Sequence, residues 1–465
     1  MADLVRIEHD SMGAVEVPAA VLWGAQTQRS LKNFPISGDR VPAELVHALA
    51  RIKQAAANAN FRLGVLDQKK RDLIVAAASA IASGLHDDQF PLRVWQTGSG
   101  THTNMNVNEV ISNLAAKASG EKLGSHQPLH PNDHVNRSQS TNDAFPAAIH
   151  IAATLEITEG LLPELQQLIE AFNAKTKSWE RIIKIGRTHL QDAVPLTLGQ
   201  EASAWRDQIA AAYQRIESSL KELYPLPLGG TAIGTGLNAP PGFDTEAALE
   251  LAQLTKHPFK TATNKFAVMA SHDGLVNAMA QLRLLAVALL KIANDLRLLS
   301  CGPRAGLAEL HLPANEPGSS IMPGKVNPSQ CEAMAMVCTQ VMGLDSAVAM
   351  AGAGGHLQMN VYKPLIGFNL LHSIELLKDA CNSFRVAMVE GIEPNRPRIQ
   401  NDLEQSLMLV TALSPEIGYD KSSAIAHHAH QQGLSLRQAA LDLGYISGED
   451  FDRIVDPASM TSPHR

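Results

Sequence analysis

The chain has 465 residues, 45% of them apolar and only 18% charged, below the roughly 25% usual for soluble globular proteins. A formal charge of −7 with no run of Lys and Arg lacks the electrostatic footprint of a nucleic-acid binder. Aromatics at 4% and an excess of Ala, Leu, Gln and Met favour helices over strands and disfavour a β-sandwich or barrel. So few charges on a soluble chain point to surface covered by another subunit. The cysteines at 301, 331, 338 and 381 form no CxxC pair, so neither a disulfide framework nor a zinc site is expected. The opening MADLVRIEHDSMG lacks an apolar h-region. The longest apolar runs resemble LLAVALL at 284–290, closed by Arg283 and Lys291, whereas a membrane span needs about 20 such residues. A soluble, cytoplasmic protein is the expectation.

To about residue 40 the chain reads as short β-like pieces and turns, VEVPAAVLWG and then NFPISGDR. After Pro42 the pattern turns helical, with Leu45, Leu49 and Ile52 on one face. No strand is followed by GxGxxG and no P-loop is present. Ile151, Leu155, Leu162, Leu165, Ile169 and Phe172 then repeat at helical steps. From 198 a second stripe runs through Ala202, Trp205, Ile209, Ala212, Ile216, Leu220 and Leu223, ended by Pro225 and Pro227. A third pattern spans Lys265 to Leu299 without proline, and a fourth starts at Pro328 and runs to the glycines at 352, 354 and 355. A fifth follows from Pro364 towards Glu390. Long patterns joined by Gly/Pro loops predict a helix bundle, and apolar residues on several faces predict helices packed between subunits. The texture changes at GIEPNRPRI (391–399), before a small helical C-terminal piece.

Four loops are dense in Gly, Asn, His and small polar residues, the composition of functional loops. They are QTGSGTHTNMNVNE (96–109), LHPNDHVNRSQSTND (129–143), GRTHLQDAVP (186–195) and EPGSSIMPGKVNPSQCE (316–332). In the last, Pro323 and Pro328 fix the backbone around Lys325 and Asn327, and the GSS turn offers a hydroxyl with several backbone N–H groups. Taken alone, a Ser, Thr or Asn in such loops reads as a local hydrogen-bonder, and His189 as a structural histidine.

GSSIMPGKVNP (318–328) resembles the signature loop of the fumarase/aspartase superfamily, and the other three loops match its remaining conserved regions in order. The resemblance runs from Arg6, Glu8, Asp10, Gly13 and Pro18 to GIEPNR and SLMLVTAL (406–413). TGSGTHTNMNVNEV, GGTAIGTGLN (229–238), Gly324 and Gln330-Cys331-Glu332 bring it closest to the class II fumarases. Gly324 stands where aspartases carry Ala. One departure is Gln358-Met359-Asn360-Val361, with Gln358 where the family has Glu.

The resemblance implies a mainly α, three-domain fold: an N-terminal mixed domain (1–138), a central long-helix domain (139–395) and a small C-terminal helical domain (396–465). It implies a homotetramer with a core of roughly twenty helices, and active sites built from three chains. Segments 97–101 and 138–143 would come from one subunit, 188–189 from a second and 319–332 from a third. The implied reaction is reversible hydration of fumarate to (S)-malate, a step of the tricarboxylic acid cycle, without metal or organic cofactor. Such a site must hold a dianion and supply many donors. Ser319 is implied as the base, with Lys325 and Asn327 on the carboxylate that becomes an aci-acid. His189, paired with Glu332, is implied on the other side of the substrate, either as acid or holding a water. Ser99, Thr101, Ser140, Thr141, Asn142 and Thr188 match carboxylate- and water-binding positions. His130, Asn132 and Asp133 resemble a second dicarboxylate site without a catalytic role. The alternatives are another lyase of the superfamily, acting on aspartate or a substituted fumarate, and a non-catalytic structural homologue. His427, His428 and His430 read as a solvated face, Met334 and Met336 as core fillers, and His102 is left unassigned.

Overall fold

The computed structural model describes residues 4–463. The fold is mainly α, with seventeen α-helices among the described residues and only short two-stranded sheets. The chain divides into two compact units, residues 1–163, 212–287 and 337–379 in one, and 164–211, 288–336 and 380–465 in the other. The cuts fall inside five helices, Leu162–Ser178, Leu198–Ser219, Asp273–Leu299, Ser329–Ala353 and Lys363–Ala387.

The apolar stripes become buried cores, as helical spacing requires. Ala202, Trp205, Ile209, Ala212, Ile216 and Leu220 are all buried along Leu198–Ser219 and its 3₁₀ extension Leu220–Glu222, as is Leu223 just beyond it. Phe172 meets Trp205 edge-to-face at 6.1 Å, and the indole Nε1–H donates to Asp295 at 2.9 Å. The stretch from Thr141 to Ser178 is helical throughout, with a π-helical turn at Glu156–Leu161.

Two expectations need correcting. The pattern from Lys265 to Leu299 is two helices, Lys265–Ala270 and Asp273–Leu299, because Ser271 turns to extended backbone and its hydroxyl bonds the Asp273 carboxylate. Met336 is no core filler: it is 69% exposed, whereas Met334 is buried. Residues two apart on a helix point to different faces.

Asp273–Leu299 and Ser329–Ala353 are long and apolar enough to cross a membrane, with mean hydropathy of 1.6 and 1.4 over their most apolar stretches. Arg283 and Lys291 do not break that measure, so the shortness of LLAVALL was too narrow a test. In the single chain only 22% of the Ser329–Ala353 stretch is buried.

Candidate active site

In the first unit, three segments meet around two helix starts. Helix Thr101–Ala118 follows a turn in which the Gly100 N–H donates to Thr97 O. The Gln96 side chain accepts from the Thr103 amide and hydroxyl. Ser99 Oγ and Thr101 Oγ1 lie 2.9 Å apart. Beside it starts helix Thr141–Leu155, where Ser140 and Asp143 form a reciprocal capping box. Asn142 Nδ2 donates to Ala232 O at 2.8 Å, and Asp143 accepts from the Gly229 and Thr231 amides at 2.9 Å each, tying in the GGTAIG loop. Burial pushes the Asp143 carboxyl up to about 6, against those amides and the nearby Lys53 ammonium. Both helix starts present the positive end of a helix dipole, suited to carboxylates.

Under this pair lies a buried polar cluster that the loops alone do not reveal. Lys53 Nζ donates to Asn104 Oδ1 (2.7 Å), Asn136 Oδ1 (2.9 Å) and Gln139 Oε1 (2.9 Å). Asn104 Nδ2 in turn donates to Thr141 Oγ1 at 2.9 Å. The signal was present: Lys53 continues the four-residue spacing of Leu45 and Leu49, a lysine on an apolar stripe. Asp143 had a signal too, the Ser-x-x-Asp of a capping box.

The second unit carries the other two loops. Strands Ile183–Thr188 and Gln191–Thr197 form a hairpin whose two turn residues, His189 and Leu190, both have positive φ (58° and 61°). Asn-Gly is the usual occupant of such a turn. An L side chain there is strained by roughly 1–2 kcal/mol, and non-glycine strain of this kind clusters at functional sites. The hairpin is anchored by ion pairs that sequence patterns did not disclose. Buried Glu309 takes Lys184 at 2.7 Å and Arg187 at 2.5 Å, and Lys184 also reaches Glu201 at 2.8 Å. Thr188 and His189 stand exposed at its tip.

The 316–327 loop folds back on itself ahead of helix Ser329–Ala353. Gly318 N–H donates to Lys325 O (3.1 Å) and Asn327 Nδ2 to Gly318 O (2.6 Å). A Cβ at Gly318 would lie 2.1 Å from Lys325 O, so this closure needs glycine. Gly324 has a φ of +80°, at which a side chain would be strained. Inside the loop, the amides of Ile321 and Met322 donate to Ser319 Oγ at 3.2 and 3.0 Å. Lys325 and Glu332 are exposed. Within the chain no ion pair joins His189 to Glu332 among the described residues, both being exposed.

His130 and Asn132 line a separate cavity of about 290 Å³ in the first unit, with Glu8, Asp10, Glu109 and His126. Its carboxylates are already satisfied: Arg6 pairs with Glu8, Arg29 with Asp10, and Glu109 accepts from Gly24, Gln26 and Thr27. His130 Nδ1 accepts from the Asn132 and Asp133 amides at 3.2 Å each, leaving Nε2 as a donor. Gln358 is exposed, two residues before the buried Asn360. His102 is half-buried, its Nδ1 2.9 Å from Ser30 Oγ. His427 and His430 are exposed and His428 lies 3.7 Å from Asp442, a solvated face. No group of three His, Cys, Asp or Glu side chains among the described residues is arranged to hold a metal ion.

Known proteins match this chain over nearly its whole length. A lyase family model covers residues 13–343, and a model of the fumarase C C-terminus covers 409–462. The class II fumarate hydratase of Prochlorococcus marinus strain MIT 9313 is 79% identical over 462 residues, 99% of each chain. That of Thermosynechococcus vestitus is 59% identical, covering 97% of this chain and 96% of its own. A crystal structure of recombinant class II fumarase from Schistosoma mansoni superposes with a TM-score of 0.97 at 46% identity, over 99% of this chain and 100% of that one. The chain belongs to this lyase family, in its class II fumarate hydratase branch.

Proposed function

We propose that this chain is a hydro-lyase interconverting fumarate and (S)-malate by anti addition and elimination of water, as a tricarboxylic acid cycle enzyme of the cytoplasm. In the dehydration of malate Ser319, as alkoxide, removes the proton beta to the hydroxyl. The C–H electron pair moves into the adjacent carboxylate, giving an aci-carboxylate held by Lys325 and Asn327. The hydroxyl then leaves from the opposite face with a proton from the His189–Glu332 pair or from a water that pair holds. Ser99, Thr101, Ser140, Thr141, Asn142 and Thr188 bind the carboxylates and the water. His130, Asn132 and Asp133 form a second dicarboxylate site.

The observation that carries this reading is the pair of amides aimed at Ser319 Oγ. A serine hydroxyl is far too weakly acidic to act as a base unless its alkoxide is stabilised, and two preorganised N–H donors contribute to that. Supporting it, the four donor-rich loops and the relatives above agree over the full chain. We further propose that the enzyme is a soluble homotetramer, with sites shared between subunits and domain boundaries near 138 and 395. The half-covered apolar helices support this, since Met336 and Met350 stand 69% and 77% exposed on Ser329–Ala353. The activity is tested by following fumarate absorbance with water alone and with added ammonium. Loss of fumarate without ammonium is expected; turnover only with ammonium would establish an ammonia-lyase instead.

A further inference from the structure

We propose that Lys53 and Asn104 are positioning residues that set Thr141 as a hydrogen-bond donor to the substrate carboxylate. Lys53 is fully buried, and the acceptors around its ammonium are three neutral amide oxygens, with no carboxylate in hydrogen-bond reach. A buried cation without a paired anion is costly. Its position beneath the dianion-binding helix starts gives that cost a use.

The direction of the relay follows from donor chemistry. An ammonium can only donate, so the amide oxygen of Asn104 must face Lys53 and its NH₂ must face away. That NH₂ reaches Thr141 Oγ1 at 2.9 Å and also Asn136 Oδ1 at 3.1 Å. Asn136 Oδ1, on Lys53 as well, accepts a further bond from Asn108 at 3.2 Å, so the three amide oxygens on the ammonium all point inward. Thr141 Oγ1 therefore accepts from behind, and its own proton is directed out of the cluster. Chains of hydrogen bonds polarise one another, which strengthens the outward donor. Gln139, the third acceptor, immediately precedes Ser140, so the same ammonium also pins the turn that starts the helix. Burial pushes the Lys53 amine down to about 7, against the charge of the nearby Asp143 carboxylate, while three amide oxygens at hydrogen-bond distance favour the charged form.

This inference rests on the reading of Thr141 as a substrate ligand, and the test separates the two. Kinetics of fumarate hydration are measured for Thr141→Val, Lys53→Gln and the double variant, with thermal midpoints alongside. Thr141→Val is expected to raise KM about tenfold, the scale of one hydrogen bond to a charged group, and to change kcat less. Lys53→Gln is expected to raise KM by several-fold in the parent, but by less than about twofold in the Thr141→Val background. An unchanged KM in Thr141→Val would overturn the ligand reading. An equal Lys53→Gln effect in both backgrounds would overturn the relay and leave a structural lysine. Should Lys53→Gln fail to fold, Asn104→Asp decides. Its carboxylate pairs with Lys53 and pulls the Thr141 proton inward, so KM must rise about tenfold with the midpoint retained. An unchanged KM in that variant overturns the proposal.

Discussion

At the scale of single residues, the buried titratable groups set how the protein responds to acid. His272 is buried with both ring nitrogens lacking a hydrogen-bond partner, and His150 Nδ1–H donates to Leu223 O at 2.9 Å. Burial lowers His272 to about 3, with Lys363 and His150 adding to it, and lowers His150 to about 4. Both pKa values are depressed relative to the unfolded chain. Their contribution to stability is thus complete above about 6.5 and is lost as pH falls towards the folded values. Unfolding followed at pH 7 and pH 5 should show His272→Leu losing about 1–2 kcal/mol less than the parent over that interval. An unchanged pH dependence would mean that the ring takes up its proton at the same pH in the native and unfolded states. Asp143 and Glu109 act in the opposite sense: burial raises them to about 6 and about 7, so their share of stability declines as pH rises through those values.

At the scale of elements, periodicity made the long helices legible, because one side of each stripe is buried within the chain. It did not show the break at Ser271, where a side-chain bond to Asp273 outcompetes the helix. Nor did it show which faces stay open, since Met334 and Met336 are alike in sequence while the fold covers only Met334. The four site loops were legible from composition and order, but their supports were not: within one unit Lys53 and Asn104, and within the other Glu309 and the Lys184–Arg187 stretch, lie far apart in sequence and are joined only by the fold. The hairpin at 183–197 holds the clearest local conflict. Its His189-Leu190 turn needs two left-handed residues and has no glycine, and Leu190 is exposed. Leu190→Gly should therefore stabilise the protein by about 0.5–1 kcal/mol, read as a higher thermal midpoint, with His189 and activity retained. A lowered midpoint would show that Leu190 packs against another chain.

At the scale of the whole molecule, low charge and uncovered apolar helices express one property. A chain with 18% charged residues exposes methionines along Ser329–Ala353, which four packed copies would bury. Light scattering should then give four times 49.9 kDa. The proposed sharing of sites has its own signature. Ser319→Ala and Thr188→Val, each inactive alone, should regain about a quarter of parental sites when co-assembled at random. No recovery would mean that each chain owns its site. The net charge of −7 says little of local charge, because helix starts such as those at Thr101 and Thr141 present amides whatever the total.

The central claim is that Ser319, held by the amides of Ile321 and Met322, is the base of a fumarate hydration. The direct measurement is the rate of fumarate loss in water alone for the parent and for Ser319→Ala, with equal thermal midpoints verified. The account predicts rapid turnover by the parent and a loss of about a thousandfold or more in the variant. Near-parental turnover by Ser319→Ala would contradict it.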